Sequence, residues 1–123
     1  MKPRHTQASC TPVREILSRV GDKWSILVIM LLSERPWRFN ELKRSVEGLS
    51  QRMLTLTLRN LERDGLVTRT VYPTVPPSVE YALTAMGRSL TGPVIALGRW
   101  AQANSPRIDE ARQGFDAAAR RKR

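Results

Sequence analysis

The stretch Ser50-Gln51-Arg52-Met53-Leu54-Thr55-Leu56-Thr57-Leu58-Arg59-Asn60-Leu61-Glu62-Arg63-Asp64-Gly65 decides the fold of this chain. A hydroxyl residue opens it and a glycine closes it, the chemistry of a helix N-cap and of a left-handed C-terminal residue. On a wheel at about 100° per residue, Leu54, Leu58 and Leu61 fall within about 60° of one another and form the face that must be buried. Arg52, Leu56, Arg59 and Arg63 fall on the opposite side, with Thr55 on its flank. Water is the ordinary surrounding for such a face. A DNA duplex is the other, because an arginine fork matches guanine O6 and N7 or a phosphate. Ser50 and Gln51, at the positive end of the helix dipole, are placed for base edges or phosphate.

On the N-terminal side, Asn40 reads as the N-cap of a short helix over Glu41 to Val46, and Gly48 as the turn between the two helices. Trp37-Arg38-Phe39 reads as a short extended piece and Glu34-Arg35-Pro36 as a break. Two helices come before that. Thr11-Pro12 reads as the start of the first, with Val13, Ile16, Leu17 and Val20 at helical spacing and Gly21 at its end. Asp22 caps the second, Lys23 to Ser33, which is apolar nearly all round and hence buried. Residues 1–10 are expected as a flexible polar arm.

On the C-terminal side the period changes. Leu66 to Tyr72 is rich in β-branched residues, and Val79, Tyr81 and Leu83 alternate with Glu80, Ala82 and Thr84. Between these two strands, Pro73 to Ser78 carries three prolines, which make the loop stiff and keep it out of the ladder. The last helix is expected over Thr84 to Asn104, with Gly92-Pro93 marking a kink or a late start. A basic, flexible tail over 105–123 follows, with six basic and three acidic residues. Helix, turn, helix and hairpin is the winged helix-turn-helix order, so the fold class is mainly α with a small β-hairpin. Arg69 and the Pro76-Pro77 tip are candidates for the neighbouring minor groove or backbone. A rigid turn that blocks edge pairing is the equal alternative for the prolines.

Composition bounds the chemistry. The 123 residues make one domain by length, and Lys plus Arg number 21 against 11 Asp and Glu, a formal net charge of +10. Such an excess points to a polyanionic partner. Cys10 is the single cysteine and His5 the single histidine, which excludes an internal disulfide, a cysteine zinc site and a histidine-based catalytic pair. No phosphate-binding glycine loop is present, so no cofactor, no metal and no enzymatic activity are expected. The longest apolar run, Trp24 to Leu32, is too short for a bilayer, which needs about 20 residues. No export segment is visible at the N-terminus, so a cytoplasmic location without membrane association is expected.

Five blocks occur in a characteristic order and spacing. They are Val20-Gly21-Asp22-Lys23-Trp24, Arg38-Phe39-Asn40-Glu41-Leu42, Leu49-Ser50-Gln51-Arg52-Met53-Leu54, Leu58-Arg59-Asn60-Leu61-Glu62-Arg63-Asp64-Gly65-Leu66-Val67-Thr68-Arg69 and Val79-Glu80-Tyr81-Ala82-Leu83-Thr84. Together they resemble the HxlR-type winged helix-turn-helix regulators, relatives of the MarR group, over roughly residues 10–104. The resemblance implies a dimeric bacterial or archaeal transcription factor, with a domain over 11–104, a recognition helix over 50–64 and a wing over 72–79. Ser78 stands where the family usually carries a basic residue after the paired prolines. Thr11 separates Cys10 from Pro12, where the family often has cysteine directly before proline, a thiol that senses oxidants or electrophiles in some members.

Leu90, Val94, Leu97 and Ala101, spaced by four, three and four, make an apolar seam on the last helix, with Trp100 beside it. With Val13, Ile16, Leu17 and Val20 of the first helix they are the expected dimer interface; closure of the monomer core is the alternative. The expected partners are double-stranded DNA carrying a near-palindromic operator and a second copy of the chain, with a small-molecule or oxidant effector left open. Two other functions compete with sequence-specific regulation. One is a structural nucleic-acid protein of the nucleoid or ribosome, and the other a redox-sensing repressor acting through Cys10.

Overall fold

The computed structural model describes the backbone of residues 7–122 and the side chains of residues 12–122. In chain order the elements are α1 (Gln7–Val20), α2 (Lys23–Leu32), β1 (Trp37–Arg38), α3 (Phe39–Ser45), α4 (Gln51–Arg63), β2 (Val67–Tyr72), β3 (Ser78–Leu83) and α5 (Ala85–Arg121). By contacts the chain divides into two units, Met1–Thr91 and Gly92–Arg123.

The core of the first unit is built from α2, α3 and α4. Val28, Ile29, Leu42, Leu54, Leu58 and Leu61 are fully buried, and Leu32 nearly so. The leucine stripe of α4 therefore faces inward as its spacing requires, with Thr57 buried beside it. Asp22 caps α2 by accepting the Ser25 backbone N–H at 3.1 Å. Trp37 Nε1 donates to the Leu31 carbonyl at 2.8 Å, which ties β1 to the end of α2.

The sheet has three antiparallel strands in the order β1-β3-β2. β2 and β3 form the expected hairpin, from Val67 opposite Leu83 to Tyr72 opposite Ser78. The extended piece at 37–38 pairs with the far edge of β3, Trp37 opposite Tyr81 and Arg38 opposite Glu80.

One joint holds α4, the hairpin and the start of α5 together. Gly65 ends α4 at φ +77°, and Leu66 N–H donates back to the Leu61 carbonyl at 2.9 Å. Thr84 N–H donates to the Leu66 carbonyl at 3.0 Å, and its hydroxyl donates to the Gly65 carbonyl at 2.7 Å. The same hydroxyl oxygen accepts the Gly87 N–H at 3.0 Å and so caps α5. Gly87 is required here, because a Cβ at this position would fall on the Leu66 carbonyl oxygen.

Three expectations are corrected. Helix α1 begins at Gln7, so Pro12 lies inside it and residues 7–10 are not an irregular arm; residues 1–6 of that arm lie outside the described residues. The cap of α3 is Arg38 and not Asn40, because Glu41 Oε1 reaches back to accept the Arg38 N–H at 2.8 Å. Helix α5 does not stop at Asn104 but runs to Arg121, through Pro93 and Pro106. Each of these prolines removes the hydrogen bond to the carbonyl four residues back. Those carbonyls belong to Ser89 and Gln102, both exposed, where water can take the place of the lost donor. Val94, expected in a dimer seam, is 5% exposed in the single chain. No helix among the described residues is long and apolar enough to cross a membrane.

Candidate nucleic-acid interface

Helices α3 and α4 are joined through Gly48, whose φ of +79° only glycine adopts without strain. Ser50 opens α4 by accepting the Met53 N–H at 3.1 Å. Lys43 Nζ donates to Gln51 Oε1 at 3.2 Å, which fixes the Gln51 side chain at the exposed mouth of the helix. Lys43 was not singled out by sequence, although a lysine in the last turn of α3, eight residues before Gln51, is the signal that could have found it.

Arg52, Thr55 and Arg59 lie exposed on one side of α4. Leu56 and Arg63, also exposed, line the rim of a groove of about 1220 Å³ between α1 and α4, together with Met53, Asn60, Ile16 and Leu17. The outward face read from the wheel therefore divides. Arg52, Thr55 and Arg59 look away from α1, and Leu56 and Arg63 border it. Among the described residues the ion pairs are Arg19–Asp64 at 3.6 Å and Arg35–Glu41 at 3.2 Å. The guanidinium groups of Arg52, Arg59 and Arg63 are thus not taken up by carboxylates among those residues.

The wing presents Arg69, Val75, Pro76 and Pro77 to solvent, with Val75 99% exposed at the tip. The tip is braced from within. Thr74 N–H donates to the Tyr72 carbonyl at 2.8 Å, and the Thr74 hydroxyl to the Pro76 carbonyl at 2.7 Å. Tyr72 donates its phenol to Glu80 Oε1 at 3.2 Å, a bond that raises the Tyr72 pKa above the usual tyrosine value. Tyr81 is raised by burial, opposed by the charge of Arg69 across the hairpin. At the root, Glu41 is held below the usual carboxylate value, first by the Arg38 N–H and then by the Arg35 guanidinium.

The expected interface residues are unevenly placed. On α1, Val13, Ile16 and Leu17 are 54%, 61% and 60% exposed, an exposed apolar face, and Val20 is half-buried. On α5, Leu97, Trp100 and Ala101 are exposed and Leu90 is half-buried. Cys10 lies in the first turn of α1; its side chain is outside the described residues.

Comparison with known proteins identifies this architecture. The model of the HxlR-like helix-turn-helix family matches residues 19–109. The chain belongs to the HxlR-like helix-turn-helix family. It is 39% identical over 108 residues to the HTH-type transcriptional regulator YtfH of Escherichia coli, spanning 88% of this chain and 86% of that one. Among solved structures it is similar to the transcriptional regulator ytfH from Salmonella typhimurium, with a TM-score of 0.79 at 39% identity, covering 83% of this chain and 91% of the other. It is also similar to the redox regulator HypR in its reduced form, with a TM-score of 0.74 at 41% identity over 80% and 98% of the two chains. As an HxlR-like protein it is a DNA-binding transcriptional regulator and not an enzyme.

Proposed function

We propose that this HxlR-like protein binds a near-palindromic operator as a homodimer, with α4 in the major groove and the wing on the backbone or minor groove. The observation that carries this reading is the exposed face of Arg52, Thr55 and Arg59, next to the capped helix mouth at Ser50 and Gln51 and without carboxylate partners among the described residues. Preformed guanidinium forks at a helix N-terminus suit guanine edges and phosphates alike. Arg69, Pro76 and Pro77 take the backbone role, while Leu56 and Arg63 contribute from the α1 side. The uncovered apolar residues Val13, Ile16 and Leu17 of α1, with Leu97, Trp100 and Ala101 of α5, supply the two-fold interface. A two-fold dimer sets the two copies of α4 on successive turns of the duplex.

Fluorescence anisotropy on the DNA flanking its own gene, against a shuffled duplex across a salt series, tests this. The expected gap is about 10³-fold or more and persists as salt rises. Arg52→Ala and Arg59→Ala are each expected to cost about 1–3 kcal/mol of operator affinity with an unchanged melting temperature. Equal affinities that collapse together in salt would leave backbone binding alone, and a structural nucleic-acid role would replace the regulator.

A redox input is a second reading. It is favoured by the likeness to HypR and by the place of Cys10 in the first turn of α1. As the single cysteine, Cys10 would pair with the partner's copy or with a small thiol. Diamide treatment should then change operator affinity, and Cys10→Ser should abolish the change.

A further inference from the structure

Helix α3 is held against the mouth of α4 by its apolar side. Leu42 is fully buried, and Val46 and Leu49, on either side of the Gly48 turn, are 7% and 8% exposed. The backbone is thus pinned from within on both sides of the turn, and the last turn of α3 lies beside the first turn of α4. Lys43 and Gln51 are the exposed side chains that meet there, with Lys43 Nζ 3.2 Å from Gln51 Oε1. Neither ion pair among the described residues involves Lys43, so its ammonium is engaged by this amide oxygen.

An amide held this way offers a base a different edge. Lysine carries only donors, so the amide atom that faces it is the carbonyl oxygen, and the NH2 group is turned the other way. A glutamine with both ends open matches adenine, donating to N7 and accepting from the N6 amino group. Here the accepting end already holds an ammonium. An adenine amino group brought to the same oxygen would set two donors against each other. Guanine instead presents two acceptors, N7 and O6, on that edge. The Gln51 NH2 can donate to one, and the two remaining N–H bonds of Lys43 Nζ can point to the other. A charge-assisted donor is roughly twice as strong as a neutral one, so the ammonium weighs most in the choice.

We propose that Lys43 is a specificity-determining residue that sets Gln51 to read guanine rather than adenine in the operator. This rests on the placement of α4 in the major groove proposed above, and adds to it a base identity and a residue of α3. A contact to phosphate alone would make Lys43 a sequence-blind anchor; its bond to the Gln51 amide gives it a part in base choice.

The test is selection of bound duplexes from a random library by the full chain, followed by anisotropy on the selected operator with single base changes. Gln51→Ala identifies the base pair that Gln51 reads, as the position in each half-site where preference disappears. The parent should favour guanine there over adenine by about fivefold or more. Lys43→Met keeps the length of the stem, removes the ammonium and releases Gln51 Oε1. At that position alone it should turn the preference to adenine or level it, with the melting temperature unchanged. Lys43→Arg, which keeps the donors, should retain guanine. A parent that prefers any other base there, a motif unchanged by Gln51→Ala, or guanine still preferred by Lys43→Met would overturn the assignment and leave the regulator intact. So would a Lys43→Met variant that binds every duplex more weakly by the same factor, with a salt slope smaller by about one, because that is the mark of a phosphate contact. A library from which the parent enriches no sequence would overturn specific readout by α4 and this assignment with it.

Discussion

Gly87 and Gly114 both lie inside α5, and the same substitution should have opposite effects at the two. Alanine in a helix interior is favoured over glycine by about 1 kcal/mol. At Gly114, which no proline follows, nothing beyond its chain neighbours lies within 4 Å of the new methyl, so only that gain operates. At Gly87 the methyl would meet the Leu66 carbonyl oxygen head-on and lie 3.1 Å from Leu83 Cδ2. The carbonyl cannot yield alone, since Thr84 N–H holds it at 3.0 Å. Overpacking costs about 1–3 kcal/mol, and a backbone hydrogen bond broken at a partly buried site about 1–3 more. After the propensity gain, Gly87→Ala should destabilise by about 1–5 kcal/mol, while Gly114→Ala stabilises by about 0.5–1 kcal/mol. Urea unfolding at matched protein concentration reads both, because a dimer's stability depends on concentration. With a slope of about 1–3 kcal/mol/M, the Gly87→Ala midpoint should fall by about 1–2 M and that of Gly114→Ala rise by a few tenths. A Gly87→Ala midpoint equal to or above that of the parent would refute the close approach of α5 to Leu66.

Two further outcomes are expected. Glu41 titrates below its ordinary value in the folded chain, so its contribution is present above that value and lost as pH falls through the folded pKa. Thermal melts from about pH 5 down to about pH 3 should show an acid-side decline that Glu41→Gln makes shallower; an identical decline would mean that the Arg38 and Arg35 contacts do not hold Glu41. Arg69→Ala should weaken binding to operator and shuffled DNA alike and reduce the slope of log K against log salt by about one. Loss confined to the operator would make Arg69 a base reader instead.

The recognition helix and hairpin were legible because their signals are local. Ser50 caps three residues ahead, Gly65 needs a left-handed backbone, and Leu54, Leu58 and Leu61 repeat at helical spacing. The pairing of Trp37 and Arg38 with β3 was not legible, because two residues cannot display an alternation and their partners lie more than forty positions away. The prolines misled in one direction. Thr11-Pro12 was read as a start and 105–123 as a flexible tail, yet a helix passes through Pro12 and Pro106. The penalty of a proline is set by what becomes of the freed carbonyl, which sequence does not reveal. In the candidate site, the exposure of Arg52 and Arg59 followed from the wheel. The separation of Leu56 and Arg63 toward α1 did not, since it depends on where a second helix lies.

The joint at Thr84 also sets the unit in which this protein can be re-engineered. Its hydroxyl joins the end of α4 to the first turn of α5, and its N–H holds the residue that opens the hairpin. A chimera that swaps outward residues of α4 alone, 51 to 63, leaves these bonds untouched and transplants a reading surface. A cut placed between Gly65 and Leu66 separates partners that Thr84 and Gly87 were fitted to, so donor sequence should be carried through residue 87 or not past residue 63. New operator specificity is therefore best sought by changing side chains on a retained frame, with the splice points kept away from the glycine–threonine clasp.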